Sequence, residues 1–163
     1  MTLSQRQRRA SLWLCTLLLS GCATTRMPPE NPHDYWSGRL ALQVQSEPPQ
    51  QWSAGFELQG SAEQGEMILL SPIGTTLARL SWTPQSARLE QGGRVTQGDN
   101  LSSLSEQLQG KALPIAALFD WLAGRPSEVP GWQVDLSGHA QGRLLAQRSF
   151  PAPAAVLRIV LER

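Results

Sequence analysis

Trp36-Ser37-Gly38-Arg39-Leu40-Ala41-Leu42-Gln43-Val44 is the stretch on which the reading of this chain turns. Trp36, Gly38, Leu40, Leu42 and Val44 fall on one side of an extended backbone, and Ser37, Arg39, Ala41, Gln43 and Gln45 on the other. A period of two is the mark of a strand with one face buried, because successive side chains leave a strand in opposite directions. Glu47-Pro48-Pro49-Gln50 breaks the run, and the same parity resumes with Trp52, Ala54, Phe56 and Leu58 inward against Ser53, Glu57 and Gln59 outward. Two such runs around a proline-rich turn predict an antiparallel hairpin.

The pattern continues toward the C-terminus. Ser61 to Gly65 is a polar turn and Glu66 to Ser71 a short apolar strand; beyond Pro72-Ile73-Gly74, Thr76, Ala78, Leu80 and Trp82 alternate with Leu77, Arg79 and Ser81. Weaker strands follow over Ala87 to Gln91 and Arg94 to Gln97. The period then changes. Leu101, Leu104 and Leu108 stand at helical spacing behind Asp99 or Asn100 as cap, with Gly110 as stop. A second helix opens with Pro114 in its first position, carries Ile115, Leu118, Phe119 and Leu122 on one stripe, and ends at Gly124-Arg125-Pro126. Strand parity returns in Trp132, Val134 and Leu136, less clearly over Arg143 to Ser149, and again in Ala155, Leu157, Ile159 and Leu161. Eight or nine strands interrupted by a helical pair predict a mainly β, α+β fold: a curved antiparallel sheet covered on its apolar face by short helices. Trp36, Trp52, Trp82 and Trp132 share the inward parity and Trp121 sits in the second helix. Such rings either fill the sheet or line a cavity, and the pattern is compatible with both.

The first residues read differently. Arg6, Arg8 and Arg9 precede the apolar run Leu12 to Leu19, which is followed by Ser20 and Gly21. This is the layout of a secretory signal, too short to span a bilayer. Its end, Leu19-Ser20-Gly21-Cys22, resembles the bacterial lipobox, which implies removal of residues 1–21 and lipidation of Cys22. Ala23 in place of the aspartate typical of inner-membrane retention points to the inner leaflet of an outer membrane. Several acyl chains hold a protein on a bilayer effectively permanently. Residues 22–34, with three prolines and almost no bulky apolar side chain, then form a lipidated tether, and residues 35–163 the folded domain.

The chain has 14 basic and 13 acidic residues without long runs of either. That offers no electrostatic footprint for nucleic acid. Of its two cysteines, Cys15 leaves with the signal and Cys22 carries lipid, so no disulfide, thiolate nucleophile or cysteine metal site is expected. His33 lies in the tether, and His139 follows Gly138 in a turn and reads as a solvated loop histidine. Asp120 and Asp135 read as solvent-facing single carboxylates, and no serine has a nucleophile-elbow context. No catalytic site, metal site or cofactor is expected. One turn breaks the usual rule of polar tips: in Pro72-Ile73-Gly74 a β-branched aliphatic stands where turn chemistry is normally polar. Ile73 either folds back on the sheet or projects as a hydrophobic finger.

Taken in order, Leu-Ser-Gly-Cys at 19–22, Trp36 to Val44, Trp52 to Leu58, Ser71-Pro72-Ile73-Gly74-Thr75-Thr76-Leu77-Ala78-Arg79-Leu80, Leu113-Pro114 through Phe119-Asp120-Trp121-Leu122-Ala123-Gly124, and Gly131-Trp132-Gln133-Val134 resemble the outer-membrane lipoprotein receptor family LolB. The resemblance implies an open half-barrel with a helical lid, monomeric and outer-membrane-anchored. Its hydrophobic cavity would accept the acyl chains of lipoproteins from a LolA-like periplasmic carrier and release them into outer-membrane phospholipid without covalent catalysis. It further implies that the loop Pro72, Ile73, Gly74 enters the membrane. With parity and helical period, it assigns Trp36, Leu40, Leu42, Trp52, Phe56, Leu58, Leu80, Trp82, Trp132 and Val134 to the sheet side of the cavity and Leu118, Phe119, Trp121 and Leu122 to the lid. A reading of another class is a scaffolding outer-membrane lipoprotein with a filled core. The chain departs from the family by passing almost directly from Arg143–Ser149 through Phe150-Pro151-Ala152-Pro153 to its last strand, which implies a barrel smaller or more open on that side.

Overall fold

Alternation in the sequence becomes a single sheet. The computed structural model describes residues 35–107 and 113–162. Its strands are β1 (Tyr35–Val44), β2 (Gln50–Gly60), β3 (Gly65–Leu70), β4 (Thr76–Thr83), β5 (Ser86–Gln91), β6 (Arg94–Gly98), β7 (Trp132–Asp135), β8 (Arg143–Arg148) and β9 (Ala155–Leu161). They pair in the order β6-β5-β4-β3-β2-β1-β9-β8-β7, every pair antiparallel. The first six strands form a meander, and β9 returns to the free side of β1, so the two ends of the domain share its centre. β6 and β7 are the two edges, which leaves the sheet open.

Register explains why parity alone located the core. Leu40 stands opposite Ala54 on β2 and Ile159 on β9, and Leu42 opposite Trp52 and Leu157. One inward face therefore runs across three strands, and Leu40, Ala54, Phe56, Leu58, Leu157 and Ile159 are all buried. At about 25 cal/mol per Å² of apolar surface, burial of each Leu, Ile or Phe contributes roughly 1.5–3 kcal/mol.

The helices lie over this face. Helix α1 (Leu101–Gln107) is capped by Asn100, whose Oδ1 accepts the Ser103 N–H at 2.9 Å, and it packs on β5 and β6 with Leu104 fully buried. The expected Leu108 and Gly110 lie outside the described residues. Helix α2 (Ile115–Leu122) begins one residue later than the sequence implies. Pro114 has the φ of a helix but ψ of 69°, so it stands at the cap, where its carbonyl accepts the Leu118 N–H at 3.1 Å. At the other end the Gly124 N–H donates to the Trp121 carbonyl and the Arg125 N–H to that of Asp120, the double closure that a left-handed glycine permits. His139 is not simply solvated: Nε2 donates to the Leu122 carbonyl at 2.9 Å, pinning the end of α2 to the turn after β7. Asp120 pairs with Arg125 at 2.7 Å on the surface.

Candidate functional site: an apolar cavity and the end of the sheet it meets

Helix α2 divides the interior of the sheet along the strands. Phe119 sets its ring edge-on against Trp36 at 5.6 Å and Trp82 at 6.0 Å, at the start of β1 and the end of β4. Trp121, wholly buried, lies 6.3 Å from Trp132 and donates from Nε1 to the Ser127 carbonyl. Leu40, Phe56, Leu58, Trp82, Leu118, Phe119, Trp121 and Leu122 are thus buried in the packed core, with Trp36 and Val134 half-buried against it. This half of the interior is filled.

Toward the other end of the strands it is not. A cavity of about 390 Å³ lies between β1–β5 on one side, α1, the start of α2, β7, β8 and the β8–β9 turn on the other. Of the fourteen residues that parity and resemblance assign to a cavity, Leu42, Trp52, Leu80 and Trp132 stand on its wall. The other ten pack against one another or against them. Leu40 and Leu42 share parity and are both buried, but only Leu42 borders the void. The rest of the wall includes Val44, Met67, Leu69, Ala78, Leu89, Leu101, Leu104, Leu113 and Ile115. Val44, Trp52, Leu69, Leu80 and Leu89 are only half-buried, packed against the core on one side and bordering the void on the other.

One charged side chain shares this wall. Arg148 is 6% exposed, its guanidinium lies 5.5 Å over the Trp132 ring, and Nη2 donates to the Pro153 carbonyl at 3.0 Å. Burial lowers its pKa, yet an arginine begins so high that it stays charged. The alternation Leu144, Ala146, Arg148 in β8 carried the signal for its inward position, in a strand whose pattern is weak on the sequence alone.

The cavity extends to exposed Gln50 and Gln91, at the end of the sheet where the β1–β2, β3–β4, β5–β6 and β8–β9 turns lie. There the β3–β4 loop projects Ile73. Its base is clamped: the Ser71 N–H donates to the Thr75 carbonyl, the Gly74 N–H to the Ser71 carbonyl, and the Ser71 and Thr75 hydroxyls meet at 2.7 Å. These bonds hold the base of the loop, and Ile73 at its tip is 87% exposed. The fold-back alternative is not what this loop adopts. Pro72 and Gly74 are exposed beside it, and nothing lies within 4 Å of where a Gly74 side chain would start.

Cys22 and His33 lie outside the described residues. Among the described residues no group of three His, Cys, Asp or Glu is placed to hold a metal ion, and no helix is long and apolar enough to cross a membrane. Asp135 accepts the Ser137 N–H at 2.9 Å, and hydrogen bonds from the backbone and side chain of Ser137 hold its carboxyl below the usual value.

Comparison with known proteins finds relatives along most of the chain. Residues 35–150 match the family described as outer membrane lipoprotein LolB. The chain is 28% identical to the outer-membrane lipoprotein LolB of Bordetella petrii, over 99% of this chain and 97% of that one. It is 33% identical to that of Cupriavidus pinatubonensis over 88% and 72%, and 28% identical to that of Vibrio vulnificus over 78% and 70%. On the match across most of the folded domain, the chain belongs to the LolB family, and with that membership it is a lipid-anchored outer-membrane lipoprotein involved in lipoprotein localisation.

Proposed function

We propose that the cavity receives acyl chains of lipoproteins handed over by a LolA-like periplasmic carrier, and that the Ile73 loop brings them to the inner leaflet of the outer membrane, with no covalent step. Cys22 would carry the anchor, and residues 23–34 would set the domain off the membrane. The observation that carries the reading is the conjunction of an apolar void with a protruding aliphatic at the same end of the sheet. Magnitudes make such a route necessary for any triacylated cargo. Exposing on the order of 40 methylenes at ~0.8 kcal/mol each costs roughly 30 kcal/mol, so free diffusion through water is excluded. Chains can move only between apolar compartments, and the bilayer, being the deepest of these, makes the last step downhill without nucleotide.

The size of the void sets a limit. At about 390 Å³ it lies near the lower end of the roughly 300–1,000 Å³ of pockets that take a small ligand. Three chains together would require α1 to move away from β5 and β6, or would leave part of the cargo at the rim.

The variant Ile73→Glu tests the loop. With the base of the loop intact, folding and uptake of cargo from the carrier are expected to stay within two-fold of the parent, as an order-of-magnitude allowance for a surface change, while delivery to vesicles is abolished. Delivery at the parental rate would remove the loop from the mechanism.

A further inference from the structure

Phe150 is 74% exposed, second to Ile73 among the exposed large hydrophobic side chains of the described residues. It sits in the β8–β9 connection, residues 149–154, and pairing of Arg148 with Ala155 and of Val44 with Ala155 places that connection beside the β1–β2 turn. This is the end of the sheet that carries Ile73. Following the strand order from the β3–β4 loop to the β8–β9 loop crosses four strand spacings, or roughly 20 Å along the curved sheet at about 4.8 Å each. The mouth of the cavity lies between them, since Gln50 and Pro153 both belong to its wall.

The Phe150 loop is fixed in place. The Ser149 N–H donates to the Gly131 carbonyl at 3.0 Å and the Gln45 N–H to the Ala154 carbonyl at 2.8 Å. From below, Arg148 donates to the Pro153 carbonyl while lying over Trp132. Gly131, at φ +79°, lets the Phe150 backbone press against the turn before β7: a β-carbon there would stand 1.5 Å from the Phe150 carbonyl oxygen. A buried arginine and a glycine without room for a side chain therefore hold an apolar ring in water. The surroundings carry few charges: the connections 45–49, 71–75, 92–93 and 149–154 hold one ionisable residue, Glu47, with Arg94 at the start of β6 and Glu128 shortly before β7 as the nearest others. An end of a domain with few charges, and with two apolar tips on either side of a cavity mouth, suits the headgroup boundary of a bilayer, where amphipathic surfaces bury their apolar parts.

We infer that Phe150 is a second membrane-entering tip, which together with Ile73 seats the cavity mouth flat on the leaflet. The inference rests on the membrane-delivery reading above and extends it: one tip leaves the domain free to tilt, whereas two fix the direction in which a chain leaves the cavity.

The test uses the processed, lipidated protein reconstituted in vesicles of phosphatidylethanolamine and phosphatidylglycerol, with an environment-sensitive label on single cysteines introduced as Ile73→Cys, Phe150→Cys and, at the opposite end of the sheet, Gln85→Cys. Quenchers are attached to the lipid near its headgroup or dissolved in water. Lipid-borne quenching at 73 and 150 but not at 85 supports the inference. Quenching at 73 alone overturns it and leaves the delivery reading standing. Quenching at neither tip, or equally at all three sites, overturns both. In delivery assays Phe150→Ser is expected to slow release to vesicles about ten-fold, the loss of one buried ring, and Phe150→Leu to restore most of it. Equal rates for the parent and Phe150→Ser would also overturn the inference.

Discussion

Ile73 and Arg148 are the two residues whose placement departs most from what their chemistry favours. An aliphatic side chain stands in water and a guanidinium stands at the edge of an oily void. Each is held by local bonds: Ile73 by the Ser71–Thr75 hydroxyl clamp, Arg148 by the Pro153 carbonyl and the Trp132 face. Replacing Arg148 with Met keeps the stem and removes the donor, leaving the carbonyl of Pro153 without that bond. A loss of about 1–3 kcal/mol in urea unfolding is expected; an unchanged midpoint would mean that the loop does not depend on this strut. Asp135 gives a prediction in pH. Its folded pKa lies below the ordinary 3.8 because the Ser137 bonds favour the carboxylate. It therefore contributes stability above the unfolded pKa and loses it as pH falls through the lowered folded value. The stability difference between the parent and Asp135→Asn is expected to narrow as pH is lowered from 7 to 2, and a difference independent of pH would contradict that assignment.

Among the elements, α2 decides how much of the sheet interior is solid. Phe119 wedges between Trp36 and Trp82, and Trp121 closes beneath Trp132. Phe119→Ala is expected to cost about 3–5 kcal/mol by denaturant unfolding. A cost under about 1 kcal/mol would mean that α2 is a loosely seated cover and not a plug. On the cavity side the opposite change is informative. Ala78 is buried on β4 and borders the void, so Ala78→Phe adds a ring where there is space. Binding of a single-chain acyl probe is expected to fall at least ten-fold, with the thermal midpoint moving by less than about 4 °C, the equivalent of about 1 kcal/mol. Undiminished binding would place the acyl site elsewhere. The elements were largely legible in the sequence because alternation and helical period are local properties. Even β5 and β6, weakly patterned, lie within a residue of where Ala87–Gln91 and Arg94–Gln97 suggest them. The division between plug and void was not legible. Leu40 and Leu42 are two residues apart with the same parity and are both in the core, yet only Leu42 also borders the void, a difference that depends on elements distant in sequence. His139 was misread for the same reason, since its partner Leu122 is brought to it by the return from α2 to β7.

On the scale of the whole molecule, the fold separates two tasks along the strands. The end near Tyr35 is closed by aromatic packing, and the end near Val44 holds the void, the Ile73 loop and the Phe150 loop. Because β9 pairs with β1, the β8–β9 loop lands at the end that holds the void and not at a remote edge. The sheet is open between its edges β6 and β7, and the wall of the cavity is drawn from strands on both sides of β1. The central claim is that acyl chains occupy this void. It is tested most directly by loading the full processed protein from the carrier with a lipoprotein whose acyl chains carry a photoactivatable group, and mapping the crosslinks after illumination. Crosslinks to Leu42, Trp52, Leu80 and Trp132 are predicted; crosslinks confined to the outward face, at residues such as Leu77 or Val160, would contradict the account.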